Sequence, residues 1–439
     1  MKKNIIVILV IIISIIYSSF LMYTSFSTGK EIDKIDHPEL IEKNITIPKI
    51  YFEGNISGMS KNGEERGIKV KYIDEKNEFE KYATIKVQGS FSSKFEKKNY
   101  TIKFFNDKNY LEKFKVDLRW GKEHKYVLKA NWIDRTHSRN IVTARLAAKV
   151  QNKFNILTET PNNGLIDGYP IEVYLNGEFY GLYTMNIPKD EWLFNMDDQN
   201  ENHIVMSGYY WHDETLFRKD ATYTNWKVEV GTANQKTLDK LNRLIKFVRT
   251  SSDQEFKENI HKYVDLDATL NFYSMVQIFH LSDNYGKNLL MVTYDGQIWY
   301  PSLYDLDTSF GMFYHGESNY PTNNIVHIDD NLLFERVRKL FPNELADRYF
   351  LLRKDLLSEQ NIENEINNFY STIPIQTLKQ EETKWNNQLG FDINVMKKYL
   401  SDRLPVIDKY MASQYTVKQY CTNNDSIIYC QITNNNINR

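Results

Sequence analysis

The chain has 439 residues, enough for one large or two modest domains, and its abundant aromatic residues call for a substantial core. With a formal net charge of −2 and no polybasic block, nothing in it favours nucleic acid as a partner. Its histidines show no H-E-x-x-H spacing and no G-x-S-x-G elbow is present, so zinc-peptidase and serine-hydrolase readings lack a foothold.

In chain order, Lys2 and Lys3 precede an apolar run from Ile5 to Tyr23 broken only by Ser14, Ser18 and Ser19. That approaches the ~20 residues needed to span a hydrocarbon core. Residues 1–24 are therefore expected to be an uncleaved single-pass membrane anchor, its basic end cytoplasmic and the body outside or spore-associated. A cleaved signal peptide is the competing reading, but the run exceeds a usual apolar signal region and no small-x-small site follows it. Residues 25–49 read as a polar linker, 50–415 as the folded body and 416–439 as a polar tail. The tail holds both cysteines, Cys421 and Cys430, which either close a small loop in an oxidising compartment or stay as bystander thiols.

Within the body, Ile68/Val70/Tyr72, Ala83/Ile85/Val87 and Tyr100/Ile102/Phe104 alternate at strand period and predict an antiparallel sheet. Ser138 is placed to cap a helix through Val150, with Ile141, Ala144 and Ala148 on one face. Ile171–Leu175, Asn176-Gly177 and Phe179–Tyr183 spell a hairpin. From Thr237 to Phe279 the pattern turns helical, with Asp267 as a cap for the run ending near His280. Further helices are expected over 332–340, 344–357, 362–370 and 393–415, the last broken near Pro405. The sum is an α+β fold of two lobes: a sheet lobe over about 50–190 and a mostly helical lobe over 191–415, with a crevice between them.

The densest chemical signal is Asp283-Asn284-Tyr285-Gly286-Lys287-Asn288, followed after an Asp295-Gly296 hairpin by Tyr304-Asp305-Leu306-Asp307. An Asp in a D-x-x-x-x-N loop can accept the proton of an attacking hydroxyl, while the Asn and a later Asp hold metal ions against nucleotide phosphates. On this reading Asp283 is the catalytic acceptor-facing group. Asn288 and Asp305 are metal ligands, and Asp307 is a second candidate one pleat away. Oxygen donors with phosphates suit Mg²⁺ or Mn²⁺. The bland alternatives are turn residues bonded to their own backbone, or a calcium site at Asp305 and Asp307.

Four blocks carry a resemblance. They are Val87-Gln88-Gly89-Ser90-Phe91-Ser92-Ser93-Lys94-Phe95-Glu96-Lys97-Lys98-Asn99-Tyr100-Thr101-Ile102-Lys103, then Ala130-Asn131-Trp132-Ile133-Asp134 with Arg139-Asn140, then Val173 to Tyr183, and last Asp283 to Gly311. Over about residues 80–415 the chain is similar to the spore-coat H (CotH) kinase family of atypical protein kinases. That resemblance implies an atypical kinase-like fold and transfer of the γ-phosphate of ATP to Ser or Thr of spore-coat or cell-surface proteins. It also implies a lysine on the phosphates: Lys103 resembles the strand lysine of kinases and Lys98 is its rival. Gly89 and Ser90 belong to a loop that the resemblance places over the nucleotide. The chain departs from the family at Gln88, where arginine is common, and at Asn186, where many relatives carry glutamate. No acid lies on the 138–150 helix to make the usual Lys–Glu pair. A membrane-tethered adaptor that keeps the fold without turnover is the alternative, and a glycan-binding surface protein a third.

Overall fold

The computed structural model describes residues 46–316, 320–385 and 392–415, and the backbone of 418–423 and 426–431. The expected membrane anchor lies outside these residues. Among the described residues no helix is long and apolar enough to cross a membrane.

Alternation of apolar and polar residues builds the first half. Strands β1 (Lys49–Glu53), β2 (Arg66–Ile73), β3 (Glu78–Gln88) and β4 (Asn99–Phe105) form an antiparallel meander, followed by a two-rung pair, β5 (Val116–Asp117) with β6 (Lys122–Glu123). Next come β7 (Lys125–Lys129), β8 (Gly168–Leu175) and β9 (Glu178–Asn186). The sequence predicts an antiparallel sheet here, and the seven longer strands close it into a barrel in the order β1-β2-β3-β4-β7-β9-β8. The closing contact is parallel, with Ile50 opposite Val173, and it removes both free edges. All nine residues of the three predicted triplets, from Ile68 to Phe104, are buried in the barrel core with Ile50, Phe52, Tyr126, Ile171 and Tyr183. The β8–β9 turn is Asn176-Gly177, with φ of 51° and 88°, the left-handed pair a tight hairpin requires.

Helix α1 (Arg139–Lys153) leaves the barrel between β7 and β8. Its cap differs from expectation: Ser138 makes no side-chain cap bond, and Asp134 Oδ2 instead accepts the Arg139 N–H at 2.8 Å. The second half holds a four-stranded sheet ordered β11-β10-β12-β13, built from β10 (Ile204–Gly208), β11 (Trp226–Val230), β12 (Leu290–Thr293) and β13 (Tyr300–Ser302). The remaining helices are α2 (Gln235–Thr250), α3 (Asp253–Asn259), α4 (Leu266–Phe279), α5 (Leu332–Leu340), α6 (Pro342–Lys354), α7 (Glu359–Tyr370), α8 (Ile375–Lys384), which packs on β9, and α9 (Ile393–Ala412).

Two helix details differ from the sequence expectation. The cap of α4 is Asp265, which accepts from Ala268 N at 2.7 Å, whereas Asp267 sits in the first turn. Helix α9 runs unbroken through Pro405, because Leu404, Ile407 and Met411 bury one continuous face and tertiary packing outweighs one lost backbone bond. On the same face the buried Arg403 guanidinium donates to the carbonyls of Gln277, Ile278, Thr322 and Asn324, which fixes the C-terminal end of α4. At the tail, β14 (Lys418–Asn423) and β15 (Ser426–Gln431) form a hairpin in which Cys421 faces Ile428 and Cys430 faces Gln419, so the two cysteines are not opposite one another.

Removing the α4 cap by Asp265→Ala is expected to cost ~1 kcal/mol of stability in urea unfolding. Asp267→Ala, which loses a half-exposed pair with Arg348, is expected to cost about half that or less. The reverse order would return the cap to Asp267.

Candidate active site

The sequence ends α4 with His280 in the left-handed region, φ 56°, which turns the chain sharply into the acidic loop. Asp283 then becomes the acceptor of three side chains: Lys287 Nζ at 2.5 Å and Asn288 Nδ2 at 3.2 Å on Oδ2, and Trp211 Nε1 at 3.3 Å on Oδ1. Asn288, itself at φ 59°, donates its backbone N–H to Gly208 O at 2.9 Å, so the loop is pinned to the end of β10. That contact demands glycine, since a Cβ at position 208 would lie 1.9 Å from the Gly286 carbonyl oxygen.

The second acidic stretch follows β13 and is held from both sides. Asn284 Nδ2 donates to Tyr304 O at 2.6 Å, and Asn140 Oδ1 accepts the Leu306 N–H at 3.0 Å. Further along, Arg139 Nε donates to Ser309 O and Thr143 Oγ1 to Ser309 Oγ, at 3.2 and 2.9 Å. The first turn of α1 thus grips the loop around Asp305 and Asp307. Arg139 is itself fixed by a buried 2.6 Å pair with Asp134.

Across from this loop stands Lys129, the last residue of β7, with its Nζ 2.9 Å from Asp305 Oδ1. Lys189 Nζ is nearby, 4.0 Å from the Tyr304 ring centroid and 2.9 Å from Glu229 Oε1. Two lysines from the barrel side therefore converge on the acids of the second half.

Charge in this site is unbalanced at one position. Burial and the neighbouring Asp305 charge push the Asp307 carboxyl up to about 8, with Lys129 opposing. Asp307 forms no hydrogen bond among the described residues and keeps some solvent contact. Burial acts upward on Asp305 too, but Lys129, Lys287 and Lys189 outweigh it and hold that carboxyl below its ordinary value. Burial raises Asp283 against the pull of Lys287. Lys129 is held above its ordinary value because Asp305, Tyr304 and Asp307 overcome its burial.

The structure brings together Asp283, Asn288, Asp305 and Asp307, but not the two lysines picked from sequence. Lys103 pairs with Glu65 at 2.7 Å on the barrel's outer surface, and Lys98 donates to the carbonyls of Ser93 and Phe95 within its own turn. Alternation decides the first case: Ile102 points into the barrel, so Lys103 must point out. Lys129 was legible only indirectly, as the outward residue after Tyr126 and Leu128 in a short strand next to Ala130-Asn131. Gly89, at φ 103°, opens a loop whose Ser90 hydroxyl meets that of Tyr209, two residues before Trp211. A buried Lys–Glu pair does occur, but between residues far apart in the sequence, Lys97 and Glu381. Asn186, on β9, is buried with both amide atoms unpartnered. A small cavity of about 10 Å³, between α1, α4 and β13, lies away from the acids and is no larger than a water molecule.

An α+β body that gathers an acidic loop, a second acidic turn and two lysines from the barrel side at one place has the parts of a kinase-like protein. The chain belongs to the CotH kinase family: the family model described as CotH kinase protein matches residues 85–417. A search of curated proteins found no match.

Because Asp307 is raised in the folded chain, the native state binds its proton more tightly than the unfolded one, and without divalent metal its contribution to stability falls as pH rises from about 4 to about 8. Asp307→Asn is expected to flatten that decline. The variant should gain ~1 kcal/mol over the parent at pH 8, a figure held down by the carboxylate's solvent contact, and nothing at pH 4. Urea titrations at the two pH values in EDTA check this.

Proposed function

We propose that the chain is a metal-dependent protein kinase that transfers the γ-phosphate of ATP to Ser or Thr of a protein acceptor. The observation that carries this reading is the meeting of Asp283 and Asp305, from separate stretches, with Lys129 from a third. Asp283 orients the acceptor hydroxyl and takes its proton, and Trp211, Lys287 and Asn288 fix the direction of its carboxylate. Lys129 answers the negative charge of the phosphates, with Lys189 beside it; these two replace Lys103 and Lys98 in that role. Phosphoryl transfer asks mainly for such positioning and charge stabilisation.

Asp305, Asp307 and Asn288 supply hard oxygen donors for Mg²⁺ or Mn²⁺. A bound divalent ion would neutralise charge developing on the transferring phosphate. The fit is supported by Asp307, a carboxyl group without a hydrogen-bond partner, raised by burial and by the charge beside it. Among the described residues no group of three His, Cys, Asp or Glu side chains is arranged to hold a metal alone. A site that leaves coordination positions to phosphates and water needs no such cage.

The second reading, an adaptor without turnover, is favoured by one observation: Asp283 and Asp305 are each already paired with a lysine. On either reading the 1–24 segment tethers the body to a membrane, at a spore coat or cell surface.

The full-length chain in detergent, given γ-labelled ATP, Mg²⁺ or Mn²⁺ and a mixed protein acceptor, is expected to label Ser or Thr, and EDTA to stop it. Asp283→Ala and Asp305→Ala should each lower the rate by ~100-fold or more. Lys129→Met should act mainly by raising KM for ATP. Wild-type labelling by both Asp variants would remove the assignment, and nucleotide binding without transfer would favour the adaptor.

A further inference from the structure

The Lys97–Glu381 pair is sealed from solvent and is tied to the reacting groups by a short chain of bonds. Both side chains are completely buried, at 0% exposure, in a 2.5 Å contact. Lys97 Nζ also donates to Leu182 O at 2.5 Å and to Ala130 O at 3.2 Å, so its three protons have three acceptors. Its ammonium lies 4.4 Å from the Tyr183 ring centroid. The other Glu381 oxygen accepts the Leu182 N–H at 2.6 Å. Helix α8, which carries Glu381, is thereby fastened to β9, and Trp385 Nε1 adds a bond to Tyr180 O at 2.9 Å.

Ala130 is the residue after Lys129. Its carbonyl is held by Lys97, and its N–H donates to Asn99 Oδ1 at 2.7 Å. The amide nitrogen of Asn99 reaches Ser92 Oγ at 3.1 Å, in the loop opened by Gly89. Both polar groups of Ala130 are therefore fixed by side chains, just where β7 ends and Lys129 must reach Asp305. Simple stability does not call for this arrangement, since a buried ion pair seldom outperforms well-packed apolar residues.

We propose that Lys97 and Glu381 are positioning residues, which with Asn99 set the direction of Lys129 and the Gly89–Ser93 loop toward the nucleotide. This rests on the kinase reading. Through it, α8, which is remote in sequence from the catalytic acids, sets affinity for ATP and leaves acceptor binding alone.

Removing one partner would strand a buried charge, so the test uses Lys97→Met with Glu381→Leu, which replaces the pair by apolar side chains of similar size. In the full-length chain the double variant is expected to unfold cooperatively and to raise KM for ATP about tenfold, with KM for the acceptor unchanged. Amide exchange at residues 127–131 and 89–93 should quicken. Asn99→Ala, which leaves the ion pair intact, should shift KM for ATP in the same direction, and it carries the test if the double variant does not fold. A folded variant with wild-type KM for ATP would overturn the proposal, as would equal changes in both KM values. If the unaltered chain neither binds nor uses ATP, the kinase reading fails first and the positioning role falls with it, whereas unchanged exchange in a variant of an active enzyme defeats the positioning role alone.

Discussion

An ammonium and a carboxylate 2.9 Å apart, Lys129 and Asp305, join the end of a barrel strand to the loop after β13. Their contact is largely enclosed by protein, where charge interactions are strong and the alternatives to pairing are costly. The surrounding architecture serves to present these two groups to each other. Closure of the barrel fixes where β7 ends, and α1 leaves that end directly to grip the acidic turn through Asn140, Arg139 and Thr143. One helix turn thus sets the distance between the two halves of the site.

The same constraint explains why Asp305 and Asp307, two residues apart, behave differently. Asp305 faces Lys129 and is held ionised, while Asp307 has no such partner and is raised by burial and by its neighbour's charge. Divergent environments of this kind separate the tasks of chemically identical groups. In the proposed reaction, an ion arriving with the phosphates would relieve the repulsion.

Three buried charged contacts elsewhere tie elements of the fold together. Arg403 closes the end of α4, the Asp134–Arg139 pair starts α1, and Lys97 with Glu381 fastens α8 to the barrel. Such groups cost more to desolvate than apolar ones, but they accept only one geometry.

Local pattern was enough to determine the strands from Arg66 to Phe105, the Asn176-Gly177 hairpin and most helices, and to single out Asp283, Asn288, Asp305 and Asp307 as candidates. These depend on periodicity, turn chemistry and short spacing, which neighbouring residues write into the chain. Membership of the CotH kinase family was legible for the same reason, because the four blocks keep their order. Only the tertiary structure decided that the sheet closes into a barrel, that Asp134 and Asp265 cap the helices, and that Lys129 stands where Lys103 was expected. It alone joined Lys97 to Glu381, 284 positions away. Pairing between distant segments is set by the packing of whole faces, and a lysine's alternation along a strand says which way it points without saying what it will meet.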